Sequence, residues 1–135
     1  MLGEKLTETV GKVTGTRVLS NESGNVEIEI SFQGMGKVLG LDVSEMGTYI
    51  QTLRPTGHIY GKGQGVAMSA SGDSLCWHGF GVGQSTGKGL GAKIRYAIDV
   101  QTTSQKWSRL NGVLLVGEWE IDENGNAKGA GWEWK

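Results

Sequence analysis

Apolar and polar residues alternate along most of this chain with a period of two. Val26, Ile28, Ile30 and Phe32 take one parity, and Glu27, Glu29, Ser31 and Gln33 take the other. Successive side chains of a strand point to opposite faces, so this run predicts a strand with one buried and one solvated face. The same pattern runs from Ala92 to Thr102, where Ile94, Tyr96, Ile98 and Val100 oppose Lys93, Arg95, Asp99 and Gln101. Leu6 to Leu19 alternates more loosely and predicts one long strand or two short ones. Clusters of turn residues at Asn21-Glu22-Ser23-Gly24-Asn25, Gly34-Met35-Gly36 and Ser44-Glu45-Met46-Gly47 set off strands over Lys37 to Val43 and Thr48 to Arg54. Pro55, with no N–H to give a ladder, ends the latter. Ser104 to Leu110 lacks the alternation and predicts a single helical turn that closes one end of the fold. Val113 to Asp122 and Ala127 to Lys135 form a last hairpin around Glu123-Asn124-Gly125-Asn126.

Glycine dominates the middle of the chain. Gly57, Gly61, Gly63 and Gly65 lead to the break Ala70-Ser71-Gly72-Asp73, followed by Gly79, Gly81 and Gly83, then Gly87, Gly89 and Gly91. Glycine at every second residue excludes a helix and lines one face of a strand, letting a sheet bend and its backbones approach. A two-residue turn at Ser71-Gly72 sets Met68 opposite Leu75, Gly65 opposite His78, Gly63 opposite Phe80 and Gly61 opposite Val82, so that a larger side chain covers each glycine. The Asn-Gly pair of the last hairpin, read the same way, sets Trp119 opposite Ala130, Gly117 opposite Trp132 and Leu115 opposite Trp134. Strands at spacings of about ten residues, joined by short turns, predict an all-β fold: a single antiparallel up-and-down β-barrel of about eight strands, with a tightly curled sandwich as the other arrangement.

Composition narrows the partners. A chain of 135 residues makes one domain, residues 1–135, and its 13 basic against 14 acidic residues give a net charge of -1. That balance creates no field to draw nucleic acid or a membrane surface, and neither partner is expected. The phosphate-loop pattern is absent, and Gly87-Lys88-Gly89-Leu90-Gly91-Ala92 leads into a strand where a dinucleotide site needs a helix, so these glycines read as structural. A lone Cys76 allows no internal disulfide, and no apolar N-terminal run resembles a signal sequence; both point to a reducing, cytoplasmic setting.

Candidate chemistry is sparse. In the two-residue register His58 and His78 fall on opposite sides of the sheet, which argues against a shared metal, and no metal or cofactor is expected. The face carrying Cys76, His78, Phe80 and Val82 is the more apolar one of the hairpin. If it is interior, Cys76, His78, Phe80, Tyr96 and Trp119 furnish an apolar cavity with few polar groups, as small-molecule sites do. The plainer readings are a core histidine and a cysteine packed as a small hydrophobe. Glu118 and Glu120 share a strand face, as paired carboxylates or as solvated surface. Trp107, Trp132 and Trp134 suit the core, a subunit contact or, if exposed, a sugar-stacking platform.

Gly47-Thr48-Tyr49, Gly57-His58-Ile59-Tyr60-Gly61-Lys62-Gly63-Gln64-Gly65, Gly72-Asp73 and Trp77-His78-Gly79-Phe80-Gly81-Val82-Gly83 together resemble the small eight-stranded barrels of allene oxide cyclase type, and especially uncharacterised bacterial proteins of that fold. The resemblance covers the middle half of the chain and implies an oligomer whose barrel holds an apolar cavity with a few polar groups. It carries architecture and no catalytic residue. Lipocalin-like barrels are the nearest other comparison, but their N-terminal glycine-x-tryptophan motif is absent. The expected function is binding of a small apolar or amphipathic ligand in the barrel. The alternatives are an isomerase or cyclase using His78 or Tyr96 for proton transfer, or a structural module that forms a homo-oligomer.

Overall fold

The period-two segments form eight strands in the computed structural model, which describes residues 1–135. They are β1 (Leu2–Ser20), β2 (Val26–Val38), β3 (Leu41–Leu53), β4 (His58–Met68), β5 (Ser74–Ser85), β6 (Ala92–Thr102), β7 (Leu114–Ile121) and β8 (Asn126–Trp134). Each pairs antiparallel with the next, and β8 pairs with β1, so the sheet closes into an up-and-down barrel. Closure removes the free edges that an open sheet would present. β1 is one long strand, bent by irregularities between Val13 and Gly15 and between Val18 and Ser20. No helix is long and apolar enough to cross a membrane.

Two expected turns are strand interior. Gly34-Met35-Gly36 lies within β2 and Ser44-Glu45-Met46-Gly47 within β3; the chain reverses instead at Leu39-Gly40, both at positive φ. The glycines of β2 serve close approach to β1, since a Cβ at Gly36 would overlap the Glu8 carbonyl oxygen.

Both glycine-containing hairpins are one residue out of the expected register, for one reason. Their loops contain three residues, not two. Ser69 N–H donates to Asp73 O at 2.9 Å and Gly72 N–H to Ser69 O at 3.2 Å, while Asp122 N–H donates to Asn126 O at 2.9 Å and Gly125 N–H to Asp122 O at 3.1 Å. The third loop residue is a glycine at positive φ in each, Gly72 at 91° and Gly125 at 86°, the form a three-residue hairpin loop takes. Side chains hold these loops: Asp122 accepts from the N–H groups of Asn124 and Asn126, and the Ser69 hydroxyl accepts from the Asp73 N–H. Gly61 therefore faces Gly81, Gly63 faces Gly79 and Gly117 faces Gly131.

Glycine stands opposite glycine because the covering side chains come from the other neighbouring strands. Tyr49 of β3 is paired with Gly63, and Tyr96 of β6 with both Gly81 and Gly117, whereas Gly65 and Gly129, which face no glycine across their own hairpins, are covered from within those hairpins by Trp77 and Trp119. A Cβ at Gly63 would lie 2.5 Å from Tyr49 Cβ, and one at Gly79 would overlap the Ala97 carbonyl oxygen and the Ile98 side chain. Rings lie over glycine elsewhere, Tyr96 over Gly117 and Trp119 over Gly129, where a Cβ would overlap them.

One barrel end is plugged as expected by a short 3₁₀ helix, Gln105–Leu110. It seats Trp107, 1 % exposed, and Leu110 against Leu6, Val38, Val43, Leu75 and Leu115, each large apolar side chain contributing about 1.5–3 kcal/mol of burial. Trp107 Nε1 donates to Val38 O at 3.3 Å. Asp73 pins the segment to the β4–β5 loop, accepting from Ser104 Oγ at 2.8 Å, from Ser69 and Ser71 Oγ at 3.0 Å each, and from Lys106 Nζ at 3.3 Å. These donors, Ser104 and Ser71 foremost, hold its carboxyl well below the usual range. Toward the other end Ile30, Phe32, Tyr49, Ile121 and Ala127 form a second cluster, and Ile59, Ala92 and Ile94 a third.

Replacing Gly79 with alanine should lower the unfolding free energy by about 1–3 kcal/mol through overpacking, read as a fall in the urea midpoint. His78→Ala should change it by less than about 0.5 kcal/mol, as at other solvated positions. The reverse order would put the opposite face of β5 inside.

Candidate functional site

The alternation that builds β5 decides which of its residues meet the interior. Leu75, Trp77, Gly79, Gly81 and Gly83 take the inner parity; Cys76, His78, Phe80 and Val82 take the outer one and are exposed. This corrects the expected cavity. The Cys76 thiol and the His78 imidazole stand in solvent, and the Phe80 ring, 53 % exposed, stacks outside against Tyr60 at 6.4 Å. His58 and His78 both point outward, not to opposite sides, but His58 pairs with Gln84 and His78 with Gln64. Six residues of strand, about 20 Å, separate them, and no cluster of three or more His, Cys, Asp or Glu side chains is placed to hold a metal. Glu118 and Glu120 lie outside too, near Arg95 at 3.6 Å and Lys93 at 3.7 Å.

Tyr96 and Trp119 point inward and line a cavity of about 120 Å³ in the middle of the barrel. The paired glycines of β4 and β5 form one wall, and Phe32, Trp77, Ile94, Ile98, Leu110 and Leu115 supply most of the rest. Where Gly61 faces Gly81 and Gly63 faces Gly79, no side chain rises from either strand. The space is what the glycines leave after the aromatic rings have packed.

Polar groups enter this cavity at two places. The first joins β1, β3 and β6. Glu45 of β3 accepts a hydrogen bond from Thr9 Oγ1 of β1, reaching across the inner face of β2, where Gly34 and Gly36 present no side chain. Burial raises the Glu45 pKa, and the Thr9 hydroxyl opposes the rise. Tyr96 Oη donates to Ala130 O at 3.3 Å. Its pKa is pushed up to about 12, chiefly by burial, with the Thr7 hydroxyl opposing and the Glu45 charge adding. The second place is Tyr49 of β3 with Trp119 of β7. Burial pushes Tyr49 up to about 12, and the neighbouring indole N–H moderates it. Tyr49 Oη and Trp119 Nε1 are both shut off from solvent and form no hydrogen bond of ordinary geometry.

Glu45, Thr7, Thr9, Tyr49 and Trp77 went unnoticed as site residues in the sequence. The signal for Glu45 was present: Leu41, Val43, Gly47 and Tyr49 share its parity, so an unbroken strand through Ser44-Glu45-Met46-Gly47 sets a carboxyl on the apolar face. Chemically, the arrangement offers a buried carboxyl and buried phenols beside a largely apolar cavity.

The fold has known counterparts. The chain matches a β-barrel-like protein of Acinetobacter baumannii over all of its own length and 96% of that chain, with a TM-score of 0.80 at 15% identity. A conserved protein of unknown function from Rhodopseudomonas palustris aligns over 99% and 98% of the two chains, with a TM-score of 0.79 at 13% identity. An enzyme from Penicillium herquei aligns over 96% and 92%, with a TM-score of 0.70 at 14% identity. At such identities the likeness is one of fold: this chain is a closed eight-stranded antiparallel β-barrel, shared with proteins of unknown function. No protein-family model matches the sequence, and no curated protein does.

The raised Glu45 pKa has a sign. Its folded value lies above its unfolded value, so the folded state holds the proton longer, and stability falls as pH rises between the two values. Glu45→Gln removes that loss while keeping an acceptor for Thr9. The variant's stability advantage should grow from about pH 4 and level off above the folded pKa, measured by urea unfolding across pH. An advantage independent of pH would contradict a buried, strained carboxyl.

Proposed function

We propose that the protein binds a small apolar or amphipathic molecule inside the barrel. The observation that carries this reading is the central cavity, apolar over most of its wall and polar at two defined places. Its volume of about 120 Å³ is well under the roughly 300–1,000 Å³ of drug-sized pockets. It is closer to the roughly 150 Å³ that holds one benzene. The ligand is therefore of monocyclic size, not a long chain.

A second reading, an isomerase or cyclase acting on such a molecule, draws support from Glu45 beside Tyr96. A buried carboxyl with a raised pKa is suited to exchange a proton with a bound substrate. His78 has no part in this, since it stands outside. The architectural likeness to allene oxide cyclase barrels and to the Penicillium enzyme fits either reading. A substrate that Glu45→Gln binds but no longer turns over would favour the enzyme; equal handling by variant and wild type would favour the carrier.

The outer wall bears exposed apolar side chains, among them Ile50, Phe80, Val82, Leu114 and Trp134, which support a homo-oligomer built from second copies of this chain. The exposed, unpaired Cys76 suits a reducing, cytoplasmic setting.

Gly61 offers a direct test of the cavity. A Cβ there meets only Tyr49 Cδ2 at 3.8 Å and Ile50 O at 3.9 Å, ordinary contacts, and Gly61 lines the cavity. Gly61→Val should fold and lose binding of benzene, measured by ligand-observed NMR, while the wild type binds it. Equal binding by both proteins would move the ligand elsewhere.

A further inference from the structure

The inner face of β3 places one carboxyl in an interior that holds no cation. Glu45 lines the cavity, and its neighbours across the ladders, Gly34 of β2 and Ala67 of β4, have no polar side chain to offer it. Thr9 Oγ1 donates to Oε2. Oε1 accepts no hydrogen bond, yet it is not sealed in as the unpaired Tyr49 Oη and Trp119 Nε1 are. One carboxyl oxygen therefore keeps accessible surface and free lone pairs. Burial and the Thr9 hydroxyl are the two causes of the Glu45 shift, and no cation contributes. Lys62, the one basic residue at the wall, is exposed on the outer parity of β4. A carboxylate withdrawn from water without a counter-ion is costly, so this group keeps its proton to higher pH. Aromatic rings stand next to it. Gly47, the next residue of β3 on the inner face, is about 7 Å further along the strand. A Cβ there would come 2.7 Å from Phe32 Cε1 and 2.9 Å from Trp77 Cζ2. These two rings stack, with centroids 6.4 Å apart and planes at 22°. From β6, the Tyr96 phenol is near enough to feel the Glu45 charge. Phe32, Trp77 and Tyr96 all line the same cavity.

We propose that the cavity binds a small protonated amine of monocyclic size, its ammonium N–H groups donating to Glu45 and its hydrocarbon part lying against Phe32, Trp77 and Tyr96. The inference rests on the reading of the cavity as a ligand site and names the class of ligand. An ammonium ion supplies what the interior lacks: a positive charge for the carboxylate and donors for Oε1. Withdrawing two charges from water is repaid only when the pair is well hydrogen-bonded, and Thr9 already holds the other carboxyl oxygen. Aromatic rings present a negative face, which favours a cation beside them. An anionic ligand would meet a second negative charge, and a purely apolar one would leave the carboxyl without a partner for Oε1.

Piperidine, a strong base protonated at neutral and acidic pH, and cyclohexane share a six-membered ring and differ in charge. In ligand-observed NMR both should bind the wild type at neutral pH, piperidine the more tightly. Glu45→Gln keeps an acceptor and removes the charge. It should weaken piperidine at least about thirtyfold and leave cyclohexane binding in place. The readout is affinity, so the effect is distinct from a loss of turnover. In the wild type, piperidine affinity should rise with pH from about pH 4 until Glu45 is ionised in the free protein, because binding expels the carboxyl proton. Tyr96, pushed up to about 12, stays protonated throughout. Glu45→Gln should show no such rise. Three results would overturn the ammonium site and leave the cavity reading intact: cyclohexane binding without piperidine, equal piperidine affinity in wild type and Glu45→Gln, or a wild-type piperidine affinity that ignores pH. Failure of both rings to bind the wild type would overturn the cavity reading and this inference with it.

Discussion

The structure depends on pairs of glycines facing one another on the inside of the β4–β5 ladder. Gly61 with Gly81 and Gly63 with Gly79 make a stretch of wall that is backbone alone. A backbone wall bends tightly, which helps eight strands close on themselves. It also lets the flanking strands approach closely, the Tyr49 Cβ meeting Gly63 from one side and the Tyr96 Cβ meeting Gly81 from the other. The rings do not fill the whole space. Closure of the barrel, stacking of its aromatic interior and the residual cavity follow from the same absence of side chains.

That interior is not the most stable one this barrel allows. Glu45 holds a carboxyl away from water with one hydroxyl donor, and Tyr49 and Trp119 keep protons without acceptors. Apolar residues of similar volume would avoid these costs. By contrast, the plugged end is fully engaged: Trp107 has its acceptor, and Asp73 draws donors from two segments. Around the cavity the satisfaction is partial: Glu45 and Tyr96 have partners, and Tyr49 and Trp119 make no close hydrogen bond.

Much of this was legible in the sequence. The alternation of Val26 to Gln33 and of Ala92 to Thr102 marks two of the strands and their inner faces, and the loss of period at Ser104 to Leu110 marks the plug. The registers of the glycine hairpins were not legible. Ser71-Gly72 and Asn124-Gly125 suit a two-residue turn as well as the end of a three-residue loop. What chooses between them is the set of hydrogen bonds made by Ser69 and Asp122, and the fact that the glycines facing one another are met by residues of strands outside the hairpin, Tyr49 at Gly63 and Tyr96 at Gly81 and Gly117. The inner face of β5 was misjudged through hydrophobicity: Cys76, Phe80 and Val82 look more buried than Gly79 and Gly81, yet in a small barrel the scarce resource is room. Glu45 escaped notice because the glycines around it resemble a turn, whereas they serve close packing of β1, β2 and β3.

The central claim is that the barrel interior is a ligand site. Native mass spectrometry of the protein purified gently from its own cells, first intact and then with activation to release bound species, tests it most directly. The account predicts a reproducible non-covalent adduct with the mass of a monocyclic organic molecule, absent from Gly61→Val purified in the same way. A bare protein in both preparations, whatever its subunit number, would contradict it and leave the cavity as a packing remnant of the glycine wall.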